Sequence, residues 1–476
     1  MSSLIGLLQY FGIANALSPW VSTSAVGEAF ANLRQRNQFA SLTSIGMAAL
    51  LWGVGRQRSV VNLRPIDRHA SGAGVSSEAS TWAAFFAAIP GAAATVALLA
   101  IGNAASSSRT GLVQLFMLLA LAALWGGWRQ SYVRQMLLVA ALAYVLASAF
   151  LPLLAGLDPA TTGILARLHD GGPTCSSRLT LWRNVLHLIG LKPWLGWGWG
   201  ELDFAHFTTL YAGPRFCEIL DNAHNLPLHL AVELGVPAAL LICGVGLWLV
   251  WRAKPWRERD GTRQMAWSVL AVIMLHSMLE YPLWYGPFQM AFGICVALLW
   301  RSSGTSAAAV GPAPAEVAST ATMSAQNSKV TSAKNKSNRP MALISHAWLA
   351  IIIVVFVAYA AWDYHRVSQI YLPPEDRSPA YRSNTLAKIQ GSWLFQNQVR
   401  FAELTTTRLT SDNAARINTM AHELLHFSPE ARVVEKLIDS AGLLGKLDEV
   451  RYFEARYSAA YPQEHANWAK AGTTKR

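Results

Sequence analysis

Long apolar runs almost free of ionisable side chains recur along this chain and leave it few ways to fold. Residues 135–156 carry no Asp, Glu, Lys or Arg, and between Leu226 and Val250 Glu233 is the one carboxylate. About 20 such residues wound as a helix cross the ~30 Å hydrocarbon core of a bilayer and satisfy their backbone groups internally. The composition agrees: charged residues are 14% and hydrophobic residues 53%, against about 25% charged in an average globular protein. A soluble fold of this size would lack the charge to cover its surface. Disorder, coiled coil and collagen are excluded by the same figures. The fold class read from the sequence is all-α: a polytopic helical membrane protein.

Candidate spans fall at 2–17, 38–55, 82–102, 111–128, 135–156, 227–251, 265–282, 286–300 and 343–362, about nine in all, with Pro90 inside the third. Arg56, Arg58, Arg64 and Arg68 crowd one loop, Arg129 and Arg134 another, and Arg252, Lys254, Arg257, Arg259 and Arg263 a third. Strict alternation puts all three loops on one side, which the positive-inside rule makes the cytoplasm. The net charge of +12 is thereby assigned to loop topology, and no nucleic-acid partner is expected. Met1 is followed directly by an apolar stretch with no basic region before it, so no cleavable signal peptide is read. The expected organisation is a membrane domain over 1–300, a Ser/Ala/Thr-rich cytoplasmic linker over 301–341, a last transmembrane helix over 342–362 and an external domain over 363–476. The side opposite the arginines receives loops 18–37, 103–110 and 157–226, the turn near 280–287 and the tail. In a bacterium that side is the periplasm.

The long loop carries Cys175 and Cys217. An oxidising compartment would allow a disulfide closing about 40 residues, and two unpaired thiols are the equal alternative. Cys243 and Cys295 lie in spans as packing residues. The tail has ordinary charge and helical periodicity. Leu437, Ile438, Ala441, Leu444 and Leu447 are spaced for one apolar face, with a Gly442/Gly445 break before a second helix near 447–460. The expected fold there is antiparallel helical pairs resembling tetratricopeptide units.

The segment Asp221-Asn222-Ala223-His224-Asn225-Leu226-Pro227, running on to Glu233-Leu234-Gly235, sets a histidine at the mouth of a span. Such a residue can be neutral near pH 7 and accept a proton from a hydroxyl. Arg34, Arg109 and Arg178 face the same compartment, where positive charge is normally sparse. Each presents a planar fork suited to phosphate oxygens. Headgroup snorkelling explains one such arginine more readily than three. In Lys192-Pro193-Trp194-Leu195-Gly196-Trp197-Gly198-Trp199-Gly200, flat aromatic faces suit sugar rings and glycines allow close backbone approach. Interfacial anchoring is the alternative there.

Together these residues resemble a known family. Asn32-Leu33-Arg34-Gln35 before a span, Ser108-Arg109-Thr110-Gly111 opening another, the Pro-Trp-Leu-Gly-Trp-Gly-Trp-Gly run and His224-Asn225 followed by Glu233-Leu234-Gly235 look like the O-antigen ligase superfamily. His276-Ser277-Met278-Leu279-Glu280-Tyr281-Pro282-Leu283-Trp284-Tyr285 and the helical tail narrow the likeness to PglL-type bacterial protein O-oligosaccharyltransferases, over about residues 5–460. The resemblance implies a GT-C-like membrane fold at the bacterial inner membrane with its site facing the periplasm. It implies transfer of a glycan from undecaprenyl pyrophosphate to a Ser or Thr hydroxyl of a periplasmic protein such as a pilin, without a metal or other cofactor. Carried over by position, His224 is the general base and Arg34, Arg109 and Arg178 hold the pyrophosphate. Gln35, Glu233 and Tyr281 support them, and Trp197 and Trp199 meet the sugar. Inversion at the anomeric carbon follows from a single displacement. Consistently, no Asp-x-Asp motif is found, and Trp362-Asp363-Tyr364 is only a partial echo of the Trp-Trp-Asp of N-linking transferases. Relatives usually carry more spans before the segment that here stands at residues 6–10, so an N-terminally shortened chain is one expectation.

Three other readings compete. A ligase or polymerase acting on a glycolipid or glycan acceptor would use the same chemistry. A transporter would place ionisable residues in mid-span, and here only His276 and Glu280 come near. His422-Glu423-Leu424-Leu425-His426 matches the zinc-peptidase HExxH pattern, with Glu449 or Glu454 as third-ligand candidates. Ser428-Pro429 ends that helix at once, so coincidence is the stronger reading.

Overall fold

The computed structural model describes residues 1–18, 20–62, 91–169, 174–307 and 339–474. Among the described residues the structure is helical and contains no strand. In chain order the helices are α1 Ser2–Tyr10, α2 Arg36–Asn62, α3 Gly91–Ala105, α4 Arg109–Leu124, α5 Ser131–Leu154, α6 Ile164–His169, α7 Arg178–Leu191, α8 Leu202–Thr208, α9 Leu226–Leu234, α10 Val236–Ala253, α11 Gly261–Ser277, α12 Gly286–Ala307, α13 Arg339–Ser368, α14 Thr385–Ile389, α15 Gln396–Thr406, α16 Ala414–Leu425, α17 Ala431–Leu443, α18 Leu447–Ala460 and α19 Pro462–Thr474. Two compact units divide them, Met1–Leu202 with Gly213–Val310, and Asp203–Ala212 with Gly311–Arg476.

In the first unit, α2, α5 and α10 are long and apolar enough to cross a membrane, and α3, α4 and the stretch Gly286–Trp300 of α12 are shorter apolar helices. The last such helix, over Ile351–Tyr371, belongs to the second unit. Against the nine expected spans, four helices among the described residues have sufficient length and apolarity. Pro90, Arg58, Arg64, Arg68 and almost all of the expected linker lie outside the described residues. Two expected spans differ in a physically clear way. The first, 2–17, is not one helix: α1 ends at Tyr10 and Gly12, at φ 75°, turns the chain into a 3-10 turn over Ile13–Leu17. Nine residues rise only about 14 Å. The sixth, 227–251, is split at Gly235, whose φ of 88° and ψ of 158° end α9 and begin α10.

α2 packs between α11 and α4, and α11 against α12. Phe39, Met47, Leu115, Val272 and Ile273 fill the seam between these helices. The α2–α11 pair is antiparallel: Ser41 Oγ meets His276 Nδ1 at 2.9 Å near one end, while Trp52 Nε1 donates to Thr262 Oγ1 at 3.1 Å near the other. Some of the polar groups inside the bundle are paired with one another, which offsets the cost of their burial. Gln114 Nε2 donates to Ser41 Oγ at 2.7 Å, and Asn103 Nδ2 reaches Ala40 O, Thr43 and Ser44.

The second unit is a helical layer built from the amphipathic faces of α15 to α18. Leu437, Ile438 and Ala441 are buried as their spacing predicts, whereas Leu444 and Leu447 are exposed. The cause is the end of α17 at Leu443 and the turn at Gly445, φ 73°, which rotates the next helix off that face. A piece of the long loop joins this core. Phe207 on α8 packs with Leu404, Ile417 and Leu424, Phe204 stacks on His426 at 3.9 Å, and Arg456 Nε donates to Thr208 O at 2.7 Å. The Trp362-Asp363-Tyr364 segment has a structural task of its own. Asp363, fully buried, accepts from Arg366 Nε at 2.6 Å, Ser392 Oγ at 2.9 Å and Leu394 N at 3.2 Å.

Candidate active site

Four segments of the first unit converge on one carboxylate. Glu280 lies in the turn after α11 and is 4% exposed. His224 Nδ1 meets its Oε2 at 2.7 Å, Gln35 Nε2 donates to Oε2 at 3.2 Å, Asn37 Nδ2 to Oε1 at 3.0 Å, and Arg178 forms an ion pair with Oε1. Burial by itself would raise the Glu280 pKa. The His224 hydrogen bond and the Arg178 charge outweigh it and hold the carboxyl below its ordinary range.

Local sequence explains how each segment arrives. Asn225 caps α9 through its side chain at Leu228 N and donates Nδ2 to Met278 O at 3.1 Å, fixing the histidine loop to the turn that holds Glu280. Asn222 Oδ1 accepts from His224 N at 2.9 Å, and Trp182 Nε1 donates to Ala223 O at 3.1 Å. Ser108 caps α4 at Gly111 N and donates to Asn37 Oδ1 at 2.6 Å, which brings the start of α4 beside the start of α2. Ser177 caps α7 ahead of Arg178. Three non-glycine residues here have left-handed backbones: Arg34 at φ 58°, Ser107 at φ 50° and His224 at φ 50°. Such conformations cost energy and persist where the surroundings over-determine them, often at functional sites.

The convergence gives the site its chemistry. A proton on His224 Nδ1, held by Glu280, leaves Nε2 as the basic nitrogen. The His224 side chain is 20% exposed, so Nε2 can be reached. The ring of Tyr281 stands edge to face with the imidazole, centroids 4.9 Å apart. Arg34 and Arg109 are exposed, and among the described residues their guanidiniums make no hydrogen bond or ion pair. Arg34 adjoins Gln35, and Arg109 adjoins Ser108, so both sit within one residue of the network around Glu280. An arginine fork is suited to phosphate oxygens, and Arg178 is the one in contact with the pair.

Not every residue singled out from sequence joins this cluster. Glu233 is buried on α9 with its Oε2 3.4 Å from His229 Nε2. Trp197 is engaged in holding its loop: its Nε1 donates to Leu188 O at 3.0 Å and Lys192 Nζ lies 4.0 Å over its ring. Trp199 is exposed and stacks on Trp284 at 6.0 Å. Gln35 and Tyr281 do join it. Glu280 and Asn37 were not among the expected site residues. The signal for Glu280 was present, a lone carboxylate closing an apolar run and followed by Tyr-Pro. Cys175 and Cys217 form a disulfide, Cα atoms 5.3 Å apart.

The HExxH residues go separate ways. His422 Nε2 meets Glu449 Oε1 at 2.8 Å, Glu423 pairs with Arg400, and His426 stacks on Phe204. Among the described residues no group of three His, Cys, Asp or Glu side chains is placed to hold a metal.

The first unit thus combines helices of membrane length with a histidine–carboxylate pair that one arginine joins. Residues 94–243 match the O-antigen ligase family, residues 29–52 the protein glycosylation ligase family, and residues 264–475 the family described as virulence factor membrane-bound polymerase, C-terminal. The chain is thus similar to the O-antigen ligase superfamily and resembles its PglL-type members. It is 26% identical to a general O-oligosaccharyltransferase of Acinetobacter baylyi over 30% of this chain and 27% of the relative. It is 28% identical to a ComP-specific O-oligosaccharyltransferase of the same organism over 25% of this chain and 21% of the relative. The chain thus spans about a quarter of the length of these curated relatives. No solved structure matches it.

Proposed function

We propose that this chain transfers a glycan from a polyprenyl pyrophosphate carrier, in bacteria undecaprenyl pyrophosphate, to a Ser or Thr hydroxyl of a protein outside the inner membrane. The observation that carries the reading is the 2.7 Å contact of His224 with Glu280 beside the uncommitted Arg34 and Arg109. His224 Nε2 takes the proton from the acceptor hydroxyl as its oxygen bonds the anomeric carbon. The carbon–oxygen bond to the pyrophosphate breaks, and its electron pair leaves with the phosphate oxygen. Arg34, Arg109 and Arg178 take up the developing charge, and His224 then releases its proton to water. A single displacement of this kind inverts the anomeric configuration. Tyr281 and Gln35 bound the imidazole and the carboxylate, and Trp199 offers a flat face to the glycan. The positive charge at the leaving group comes from arginine, so the reaction proceeds without a divalent metal. The two Acinetobacter relatives are named O-oligosaccharyltransferases, which supports transfer of an oligosaccharide to an oxygen of the acceptor; a pilin is the acceptor that the family resemblance leads one to expect.

The test uses cells lacking their own transferase but supplied with a lipid-linked glycan and a pilin-like acceptor. The chain and its His224→Ala form are expressed there, in chelated and untreated membranes, and the acceptor is weighed by intact mass. A glycan-sized gain that needs His224 and ignores chelation supports the proposal. No gain with the chain, nor with a longer form extended at its N-terminus, sinks the protein acceptor and points to a glycolipid one. A gain that disappears on chelation overturns the metal-free step.

A further inference from the structure

Among the described residues, the helix that carries Arg178 has an exposed outer face. Along α7 and the turn after it, Leu179, Leu186, Leu191, Trp194 and Leu195 are exposed, the last two at 75% and 85%. Arg183, His187 and Lys192 alternate with them on the exposed side. The inner face, with Leu181, Val185 and Leu188, is buried and packs toward α9. An exposed face on which leucines and a tryptophan stand among basic side chains is usual for a helix lying in a membrane interface.

The depth of the helix is fixed at both ends. At its start, Arg178 pairs with Glu280, in the turn that follows the end of α11. Past its end, Val236 N, the first residue of α10, donates to Pro193 O at 2.8 Å, and Trp197 N and Gly198 N donate to Val232 O and Glu233 O at 2.9 and 3.0 Å. The backbones touch there, because a Cβ on Gly196 would stand 2.3 Å from Glu233 O. Asn225 Nδ2 at the start of α9 donates to Met278 O just past the end of α11 at 3.1 Å. α7, about 20 Å long for its 14 residues, therefore bridges the end of α11 and the junction of α9 and α10. α10 is exposed almost all round, with Leu240, Leu241 and Leu247 facing outward, and Trp194 and Leu195 stand level with its first turn.

We infer that α7 and the Trp194–Leu195 turn are an in-plane element seated in the leaflet on the site's side, at the boundary of headgroups and acyl chains. The surface is continuous with the lipid-facing side of α10, and its basic residues suit anionic headgroups. Resting on the proposed function, the element has a use: one helix ties the leaflet that holds a polyprenyl tail to Arg178, which binds the pyrophosphate at the tail's end.

The test reads depth without reference to transfer. In a Cys243→Ser, Cys295→Ala background, Leu186→Cys and Leu195→Cys are labelled with a nitrobenzoxadiazole fluorophore and placed in phosphatidylethanolamine–phosphatidylglycerol vesicles. Asp448→Cys, fully exposed on α18, is the aqueous control. Blue-shifted emission at 186 and 195, quenched by lipids spin-labelled near the headgroup and shielded from iodide, is the expected result. Iodide quenching equal to that at 448 overturns the inference, whatever the chain transfers. A second arm uses Trp194→Glu/Leu195→Glu. The KM for a long-chain polyprenyl donor should rise about tenfold, that for a short-chain soluble donor should hold, and kcat should be kept. Equal KM changes for both donors also count against it, and loss of transfer by the unsubstituted chain fails the proposed function alone.

Discussion

His224 Nδ1 lies 2.7 Å from Glu280 Oε2, and the carboxylate is buried beneath the imidazole rather than exposed beside it. The two residues are 56 apart in sequence, so the pair exists only because α9 and the end of α11 are locked through Asn225 and Met278. A buried acceptor selects the tautomer and the ring orientation of its histidine, which is how other histidine–carboxylate pairs act.

Glu280→Gln keeps the shape of that acceptor and removes its charge. The imidazole is then free to present the wrong nitrogen. Transfer should fall by about 10²–10⁴ in kcat, with KM for the donor nearly unchanged. Steady-state kinetics on the purified chain, with the melting temperature followed alongside, would show it; an equal fall in kcat and melting would mean that Glu280 is a packing residue only.

The arginines should divide into two kinds. Arg34 and Arg109 are exposed and make no hydrogen bond or ion pair among the described residues, so Arg34→Ala and Arg109→Ala should leave stability within the ±0.5 kcal/mol of ordinary surface changes. Each should still cost about 10²-fold or more in kcat/KM, as loss of one charge-stabilising donor does. Arg178→Ala also strips a partner from Glu280. Its guanidinium is 40% exposed, so the stability loss should be discounted to about 1–2 kcal/mol. Thermal unfolding of the three variants side by side is the check.

The Glu280 pKa has a consequence for acid stability. The His224 hydrogen bond and Arg178 overcome burial and hold it below 4.5. The folded chain therefore binds this proton more weakly than the unfolded chain. Its contribution is complete above the unfolded value and is lost as pH falls through the lower folded value. Melting curves should be insensitive to this group from about pH 6 to 8 and should steepen downward below about 4.5. Glu280→Gln should abolish that part of the slope, and an unchanged slope would assign the acid loss to other groups.

His224 and Arg178, which the structure brings to Glu280, stand out in the sequence because their residue types are unusual beside apolar runs, and that oddity needs no tertiary information. Glu280 does not, since a carboxylate near a span end reads equally as a cap, an ion pair or a transport residue until its partner is known. The split at Gly235 was hidden for a different reason. A glycine inside an apolar run is compatible with an unbroken transmembrane helix, and only the chain crossing it at Trp194 reveals why it must be glycine. α8 was read as part of a loop because seven residues with Phe204 and Phe207 lack a period of their own; the partner face is on α15 to α17, two hundred residues later. In the tail, HExxH had the spacing of a zinc site but each residue had a nearer partner.

That last point is testable in the tail itself. Glu423 forms an exposed pair with Arg400, its side chain 50% exposed, so Glu423→Gln should change stability by less than about 1 kcal/mol and leave glycan transfer untouched. A peptidase working through this motif would lose its base. Zinc bound in proportion to protein by elemental analysis, and lost in His422→Ala, would reverse the assignment.

Gly235 offers the sharpest test of how the helix break is made. Its φ of 88° is in the left-handed half of the map, and an added Cβ would stand 2.2 Å from the carbonyl oxygen of Trp194, with no flexible side chain able to yield. Gly235→Ala must therefore either push the Trp194 turn off α9 or straighten the junction of α9 and α10. Both lose the bond from Val236 N to Pro193 O, and the cost should be about 3 kcal/mol or more. Gly196, at φ 69° and equally close to Glu233 O, should behave the same way, and the two changes together should cost less than their sum because they break one contact. Gly190 is the control. It lies in α7 with open space where a Cβ would go, so Gly190→Ala should stabilise by about 0.5–1 kcal/mol through helix propensity. Thermal unfolding in one detergent compares all four, and a Gly235→Ala chain that melts like the parent would mean that the crossing at Trp194 does not hold the break in place.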